Sequence, residues 1–378
     1  EGFSGEMDFK IAGTEEGMYI SFNEGENWQT FQQNLPIVPI TDLTIKNEDL
    51  IVATQGRSFW MIDDISPLRQ MNTEVMKKKF WLYQPRESFR IGGSGRGDGT
   101  TSGINLQSGV IINYYFKDLP DSNSVELRIF DSSGKIIKTF KPKTKERGER
   151  LPIKKGLNRM IWNMRYPDAE RFDGMILWGS RGMVGPLAVP GDYKAMLRYG
   201  KDSVAVSFTI AKDPRSSASI EDLKLQFDFL NSVCDKLTET HKAIKEIRNI
   251  RKQIKDLEDR IKDQKNVDAV KKAGEEINKK LTAVEETLYQ TKNKSSQDPL
   301  NYPVQLNDKL SSLGGSAASG DFKPTDQAVE LKKELVAKID TELNKLKDVV
   351  DNELPKFNKL VADANVPAVI LQKEEEKK

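Results

Sequence analysis

The sequence predicts a multidomain chain in which antiparallel β-structure comes first and long helices follow. Three observations carry that expectation. Short apolar runs broken by Gly, Asn and Pro recur up to about residue 210, the pattern of strands and turns. From Ser219 the apolar residues advance instead by alternating steps of three and four, the helical period. The charged share, 31%, exceeds the roughly 25% of an ordinary domain and needs long solvated helix faces to carry it. The 378 residues correspond to two or three domains of about 100–200 residues each. The expected boundaries are 1–85, 86–215 and 216–365, with a charged tail at 366–378.

In the first region the strand-like runs are 10–14, 17–22, 41–45, 50–54 and 58–62, with a turn at Asn23-Glu24-Gly25. A Gly-rich loop at 92–99 opens the second. Runs 110–116, 125–130, 135–140, 159–164, 193–199 and 203–210 follow, punctuated by Pro190-Gly191 and Gly200-Lys201-Asp202. They suffice for an antiparallel, immunoglobulin-like β-sandwich of about 100 residues. Residues 141–156 are basic and turn-rich, and are expected to form an exposed loop.

The third region reads as an antiparallel helical hairpin or three-helix bundle. Phe227, Leu230, Cys234, Leu237, His241 and Ile244 make one stripe, which Ile247, Ile250, Ile254, Leu257 and Ile261 continue after an extra step of three. Such a slip overwinds a seam locally without breaking the helix. Val267, Val270, Gly274, Ile277, Leu281, Val284 and Leu288 keep heptad spacing in a second helix, joined to the first at Lys265-Asn266. A Pro/Ser/Gly stretch over 295–324 interrupts. Thr325 then caps a third helix whose apolar face is Val336, Ile339, Leu343, Leu346 and Val350, and Pro355 ends or kinks it. These stripes either close a bundle among themselves or leave a seam, near Gly274 or Ile247, for a partner helix.

Composition excludes several classes of function. A net charge of +2 lacks the basic excess of a nucleic-acid binder, and no apolar run approaches the roughly 18 residues of a membrane-spanning helix. One Cys excludes an internal disulfide, and one His excludes a site needing two imidazoles. No catalytic residue, cofactor or metal is expected. Cys234 and His241 lie seven residues apart on the inward stripe, about 10 Å along a helix axis. They read as a small hydrophobe and a seam histidine. The 92–99 loop lacks the spacing of a nucleotide-binding turn, and Arg96-Gly97-Asp98 within it is a tripeptide of a length that recurs by chance. The opening Glu1-Gly2-Phe3 has neither an initiator Met nor a signal pattern, as in a mature or truncated chain.

Ser21-Phe22-Asn23-Glu24-Gly25-Glu26-Asn27-Trp28 fits the pattern S-x-D/N-x-G-x-x-W. Asn23 suits tight turn geometry, Gly25 can supply positive φ and Trp28 can pack under the turn. With the flanking 12–19 and 52–60, this stretch resembles the Asp-box, or BNR repeat, of sialidase-like and sortilin-type β-propellers, with Asn23 where that family usually has Asp. Residues 156–163 and 185–193 resemble the region after the propeller in large bacterial sortilin-like proteins, often labelled glycosyl hydrolases. Residues 300–303 and 324–327 are similar to their helical C-terminus, so the resemblance spans nearly the whole chain.

The resemblance implies that residues 1–85 are the last blade or blades of a propeller lying mostly upstream. It implies an extracytoplasmic location, in the periplasm, at the outer surface or secreted. Ser21, Asn23, Gly25 and Trp28 would be structural, remote from any catalytic centre. The expected role is a non-catalytic scaffold or recognition module of a larger cell-envelope protein, with a protein or glycan partner. The alternative is an accessory region of a glycoside hydrolase whose active site lies upstream. Asp42, Asp63 and Asp64 are carboxylates by type only, and Arg57 alone precedes Arg69, too few for a sialidase arginine cluster. For partner binding, Trp178 with Arg181 in a long loop stands out, since these types dominate hot spots. Otherwise Trp178 covers the end of the sandwich.

Overall fold

Strand-forming runs in the N-terminal part give β1 (Lys10–Thr14), β2 (Gly17–Ser21), β3 (Gln29–Thr30), β4 (Ile40–Lys46), β5 (Asp49–Thr54) and β6 (Phe59–Ile62). Two short helices follow, α1 (Ser66–Gln70) and α2 (Thr73–Lys77). Then come β7 (Phe80–Leu82), β8 (Ser88–Arg90), β9 (Val110–Phe116), β10 (Val125–Phe130), β11 (Ile136–Phe140), β12 (Gly156–Trp162), β13 (Gly191–Tyr199) and β14 (Asp202–Lys212). The computed structural model describes residues 9–91, 107–144, 147–178, 182–262, 264 and 266–366. The Gly-rich loop with Arg96-Gly97-Asp98, as well as Arg181 and the charged tail beyond Val366, lies outside them.

The chain forms two compact units, one comprising Glu1–Tyr166 with Leu187–Ser217 and the other Pro167–Pro186 with Ala218–Lys378. The first unit is β-rich. Its sheets β1-β2-β3 and β4-β5-β6 are antiparallel meanders that share a core of Met18, Leu35, Leu50, Val52 and Ile65. The sheets β12-β9-β7 and β11-β10-β13-β14-β8 share a second core, where Tyr114, Phe116, Leu127, Ile129 and Trp162 are fully buried. β10 shows why: Val125, Leu127 and Ile129 alternate inward while Glu126 and Arg128 face out, the half-buried strand pattern. The β14–β8 pairing is parallel, Ile210 opposite Ser88, so the second region is not wholly antiparallel. Nor is 141–156 simply exposed. Leu151 is buried in that core, and Lys141 bridges Arg150.

The second unit is helical. α3 (Ile220–Arg260) is one continuous 41-residue helix, opened by a capping box between Ser219 and Asp222. Both Ile244 and Ile247 are fully buried, so the extra step of three keeps the stripe on the core without interrupting the helix. α4 (Asp268–Leu288) returns after the short joint, and Thr325 caps α6 (Asp326–Asp348) by accepting from the Ala328 amide.

Three expectations need correction here. The 295–324 stretch contains a helix, α5 (Leu306–Ala317), so the hairpin or three-helix description is too small. Gly314 and Gly315 hid it, because Gly is a poor helix former. Gly314 is needed for close packing: a Cβ there would stand 2.6 Å from Met183 Sδ. Of the two readings of Pro355, ending or kinking the helix, only the first fails, because the helical path continues. A π-helical turn, Val349–Glu353, leads into α7 (Leu354–Asp363) with Pro355 in its first turn. Proline lacks the N–H that would bond the carbonyl four residues back, and a wider turn accommodates that loss.

The third correction concerns the chain's partition. Residues 167–186 do not belong with the rest of 86–215. Ala169, Phe172, Met175, Leu177 and Met183 are buried in the same cluster as the helical stripes. Burial of five apolar side chains, at about 25 cal/mol per Å2 removed from water, outweighs the closeness in sequence to β12 and β13.

Candidate functional site

Segment 167–186 has neither helix nor strand among its described residues, so its backbone groups need partners from elsewhere. Helix side chains supply them. Thr238 Oγ1 accepts from the Glu170 amide at 3.0 Å, and His241 Nδ1 meets the Glu170 carbonyl at 2.5 Å. The Tyr289 hydroxyl accepts from the Ile176 amide at 3.0 Å. Asp308 Oδ2, in the first turn of α5, accepts from the Trp178 amide at 2.7 Å. Cys234 Sγ lies 3.8 Å from the Val184 carbonyl. Within the segment, the Ala169 amide donates to Met183 O at 3.0 Å, and Asp168 Oδ1 accepts from the Gly185 amide at 2.8 Å.

The Cys234–His241 pair therefore has a structural use. Both residues hold the same segment, one near each end. Burial, helped by Asp168 and Asp235, pushes the Cys234 thiol up to about 12, far from a nucleophilic thiolate. Burial also lowers the His241 pKa, keeping the ring neutral. The neutral tautomer fits both contacts. Nδ1–H donates to Glu170 O, and Nε2 accepts from Asn307 Nδ2 at 3.3 Å. Asn307 Oδ1 is buried without a hydrogen-bond partner. The Phe172 ring meets His241 edge-on at 5.4 Å and Tyr289 at 4.9 Å.

Beside this cluster, the buried Glu285 accepts from Arg248 Nε at 2.7 Å and from Arg251 Nη1 at 2.6 Å. Arg248 also lies over Phe172, its Cζ 4.6 Å from the ring centroid. Glu285 thus fixes a guanidinium against the aromatic that anchors the segment. The heptad pattern passes over Glu285, which follows the seam residue Val284. The pair of arginines three residues apart on α3 was the available signal.

Trp178 lies in the helical unit. The residue is 44% exposed, while its amide is held by Asp308, itself only 4% exposed. Burial raises the Asp308 pKa against the opposing hydrogen bonds from Trp178 and Ser312. A half-exposed aromatic on a pinned backbone can contact a partner with little ordering cost. Arg181, expected beside it, lies outside the described residues. No local feature of the sequence marks Asp308, Thr238 or Tyr289 as the groups that hold this loop.

The turn after β2 closes on its own side chains. Ser21 Oγ donates to Asn23 Oδ1 at 3.0 Å and accepts from the Gly25 amide at 2.9 Å, and Asn23 Oδ1 accepts from the Asn27 amide at 2.9 Å. Gly25 adopts φ +99°, which favours glycine. The Trp28 ring passes 3.6 Å from where its Cβ would be, yet remains 44% exposed.

The three carboxylates singled out by type do not converge. Asp42 is exposed and accepts from the adjacent Leu43 amide. Asp64 is buried and engaged by Ser66 and Asn113. The Asp63 pKa is raised, chiefly by burial and then by Asp49.

No protein-family model matches the chain, and neither does any curated protein. Among solved structures, CopC from Methylosinus trichosporium OB3b aligns with 36% of this chain and 98% of its own, at 10% identity. The TM-score is 0.19, and a likeness that slight carries no argument.

Proposed function

We propose that the chain is a non-catalytic recognition or scaffold module, part of a larger extracytoplasmic propeller protein, and that Trp178 contacts its protein or glycan partner. The observation that carries this reading is the contrast at Trp178, a residue 44% exposed on a backbone fixed by a buried carboxylate. The finer fold assignment belongs to the same proposal. The sheets β1-β2-β3 and β4-β5-β6 are read as terminal propeller blades, supported by their meander order and the side-chain-closed turn at Ser21. The two sheets around Trp162 are read as an immunoglobulin-like sandwich, supported by their common core.

The test is native co-purification of the parent protein and its Trp178→Ala variant from a mild-detergent envelope extract, read by quantitative mass spectrometry. A stoichiometric partner should survive moderate salt with the parent. A hot-spot loss of about 2 kcal/mol should weaken its retention roughly thirtyfold in the variant. Equal recovery from both removes Trp178 from the interface. Turnover of sugar substrates by this chain would overturn the non-catalytic assignment.

A further inference from the structure

Two adjoining hollows of about 450 Å3 each open over β10, β11 and β13 in the β-rich unit, with Glu126, Lys141 and Lys143 lining both. Arg198 lines one and Arg128 the other. Pairing explains the placement. Glu126 stands opposite Arg198 across β10–β13, on the outward face that Arg128 shares. The carboxylate is the centre of the arrangement. Arg128 Nη2 lies 2.5 Å and Arg198 Nη1 3.5 Å from Glu126 Oε1, which no aligned hydrogen bond satisfies. One mostly buried acid thus sets two guanidiniums side by side, with N–H groups to spare on each.

The charge does not cancel. Glu149, the other lining carboxylate, lies 3.6 Å from Lys138. Among the described lining residues, four cations (Arg128, Lys141, Lys143, Arg198) against two acids (Glu126, Glu149) leave an excess of two, concentrated in a chain whose net charge is only +2. Asp121 nearby is engaged by the Asn123 amide and the Ser124 hydroxyl. The rim is polar, with Ser122, Asn123 and Thr139.

From this we infer that the trough binds an acidic polysaccharide, a sugar polymer bearing carboxylate or sulfate groups. Lysines and arginines in excess supply the attraction to a polyanion, and hydroxyl and amide groups on the rim match ring hydroxyls. The described lining includes no aromatic side chain, so the stacking platform that single-stranded nucleic acid uses is missing. The inference narrows the recognition reading above and rests on it, but it uses a different surface, so the two fail separately.

The experiment titrates the full chain with heparin, polygalacturonate, neutral dextran and oligo-dT at low and moderate salt. Saturable binding to heparin or polygalacturonate, weakening steeply with salt, is expected, with none to dextran. The sulfated and carboxylated arms separate the two anion types. A Lys141→Ala/Lys143→Ala double variant, both sites being exposed, should bind about tenfold more weakly and lose roughly two from the log–log salt slope. Absence of saturable binding to either acidic polymer overturns the inference, as does binding the double variant leaves unchanged. Tighter binding to oligo-dT than to both polysaccharides overturns the ligand class. If the polysaccharides fail while the Trp178-dependent partner is retained, only this inference falls.

Discussion

Asn113 donates its side-chain amide to Asp64 Oδ2 at 2.9 Å, joining the middle of β9 to the segment after β6 with both residues almost fully buried. The other Asp64 oxygen accepts from the Ser66 hydroxyl at 2.6 Å, and Asn113 Oδ1 accepts from Arg159 Nε at 3.2 Å. Asp64 also holds φ +61°, a conformation that Asn tolerates far better than Ala. Asp64→Ala should therefore cost about 1–3 kcal/mol, leaving buried donors unpaired. Asp64→Asn should cost less. Urea denaturation of both variants checks this; equal losses would mean that neither the backbone conformation nor the remaining acceptor matters.

Gly314 and Gly315 are neighbours in α5 with opposite surroundings. A Cβ on Gly314 would meet Met183 Sδ at 2.6 Å and Val233 Cγ1 at 3.1 Å, whereas one on Gly315 meets nothing within 4 Å. Gly314→Ala should destabilise by about 1–3 kcal/mol through overpacking. Gly315→Ala should stabilise by up to about 1 kcal/mol through helix propensity. Thermal melts of the pair decide it, and shifts of the same sign would contradict the packing at Met183.

His241 is the single histidine, and burial lowers its folded pKa below the ordinary value near 6.5. The unfolded chain then binds the extra proton first. Its contribution to stability is complete above the unfolded pKa and is lost as pH falls toward the folded one, by at most about 1.4 kcal/mol per pH unit. The raised carboxyls Asp63, Glu258 and Asp308 act in the opposite sense, favouring the folded state as they protonate on acidification. Urea midpoints from pH 7.5 downward should fall just below 6.5 in the parent and stay flatter in His241→Gln.

The helical unit needs a piece of chain far from it in sequence. A polypeptide starting at Ala218 lacks Phe172, Met175, Leu177 and Met183 from its core and deprives Asp308 and His241 of the partners that the segment supplies. Such a polypeptide should lose cooperative unfolding, and adding a synthetic peptide of residues 167–186 should restore it, as followed by circular dichroism. Undiminished cooperativity without the peptide would show that the segment only decorates the unit.

The parts legible in the sequence were those written in local periodicity. β9 and β10 coincide with their apolar runs because their inward residues alternate or run unbroken, and α3 and α4 follow their stripes. β7 and β8 are too short to show a period, at three residues each. α5 was masked by its paired glycines. Trp178 stood out by residue type, but the group that fixes it, Asp308, is 130 positions away. Nothing local encodes such a partner. For the same reason 167–186 read as sandwich loop: its apolar residues carry no label saying which core receives them.

That segment also sets a timetable. During synthesis, residues 167–186 emerge well before α5, whose Asp308 secures Trp178. At about 5–20 residues per second, Phe172, Met175, Leu177 and Met183 wait on the order of ten seconds for their core to exist. Through that interval a nascent chain offers four large apolar side chains to whatever else is near. A holding chaperone would serve this protein until α3 to α6 have emerged.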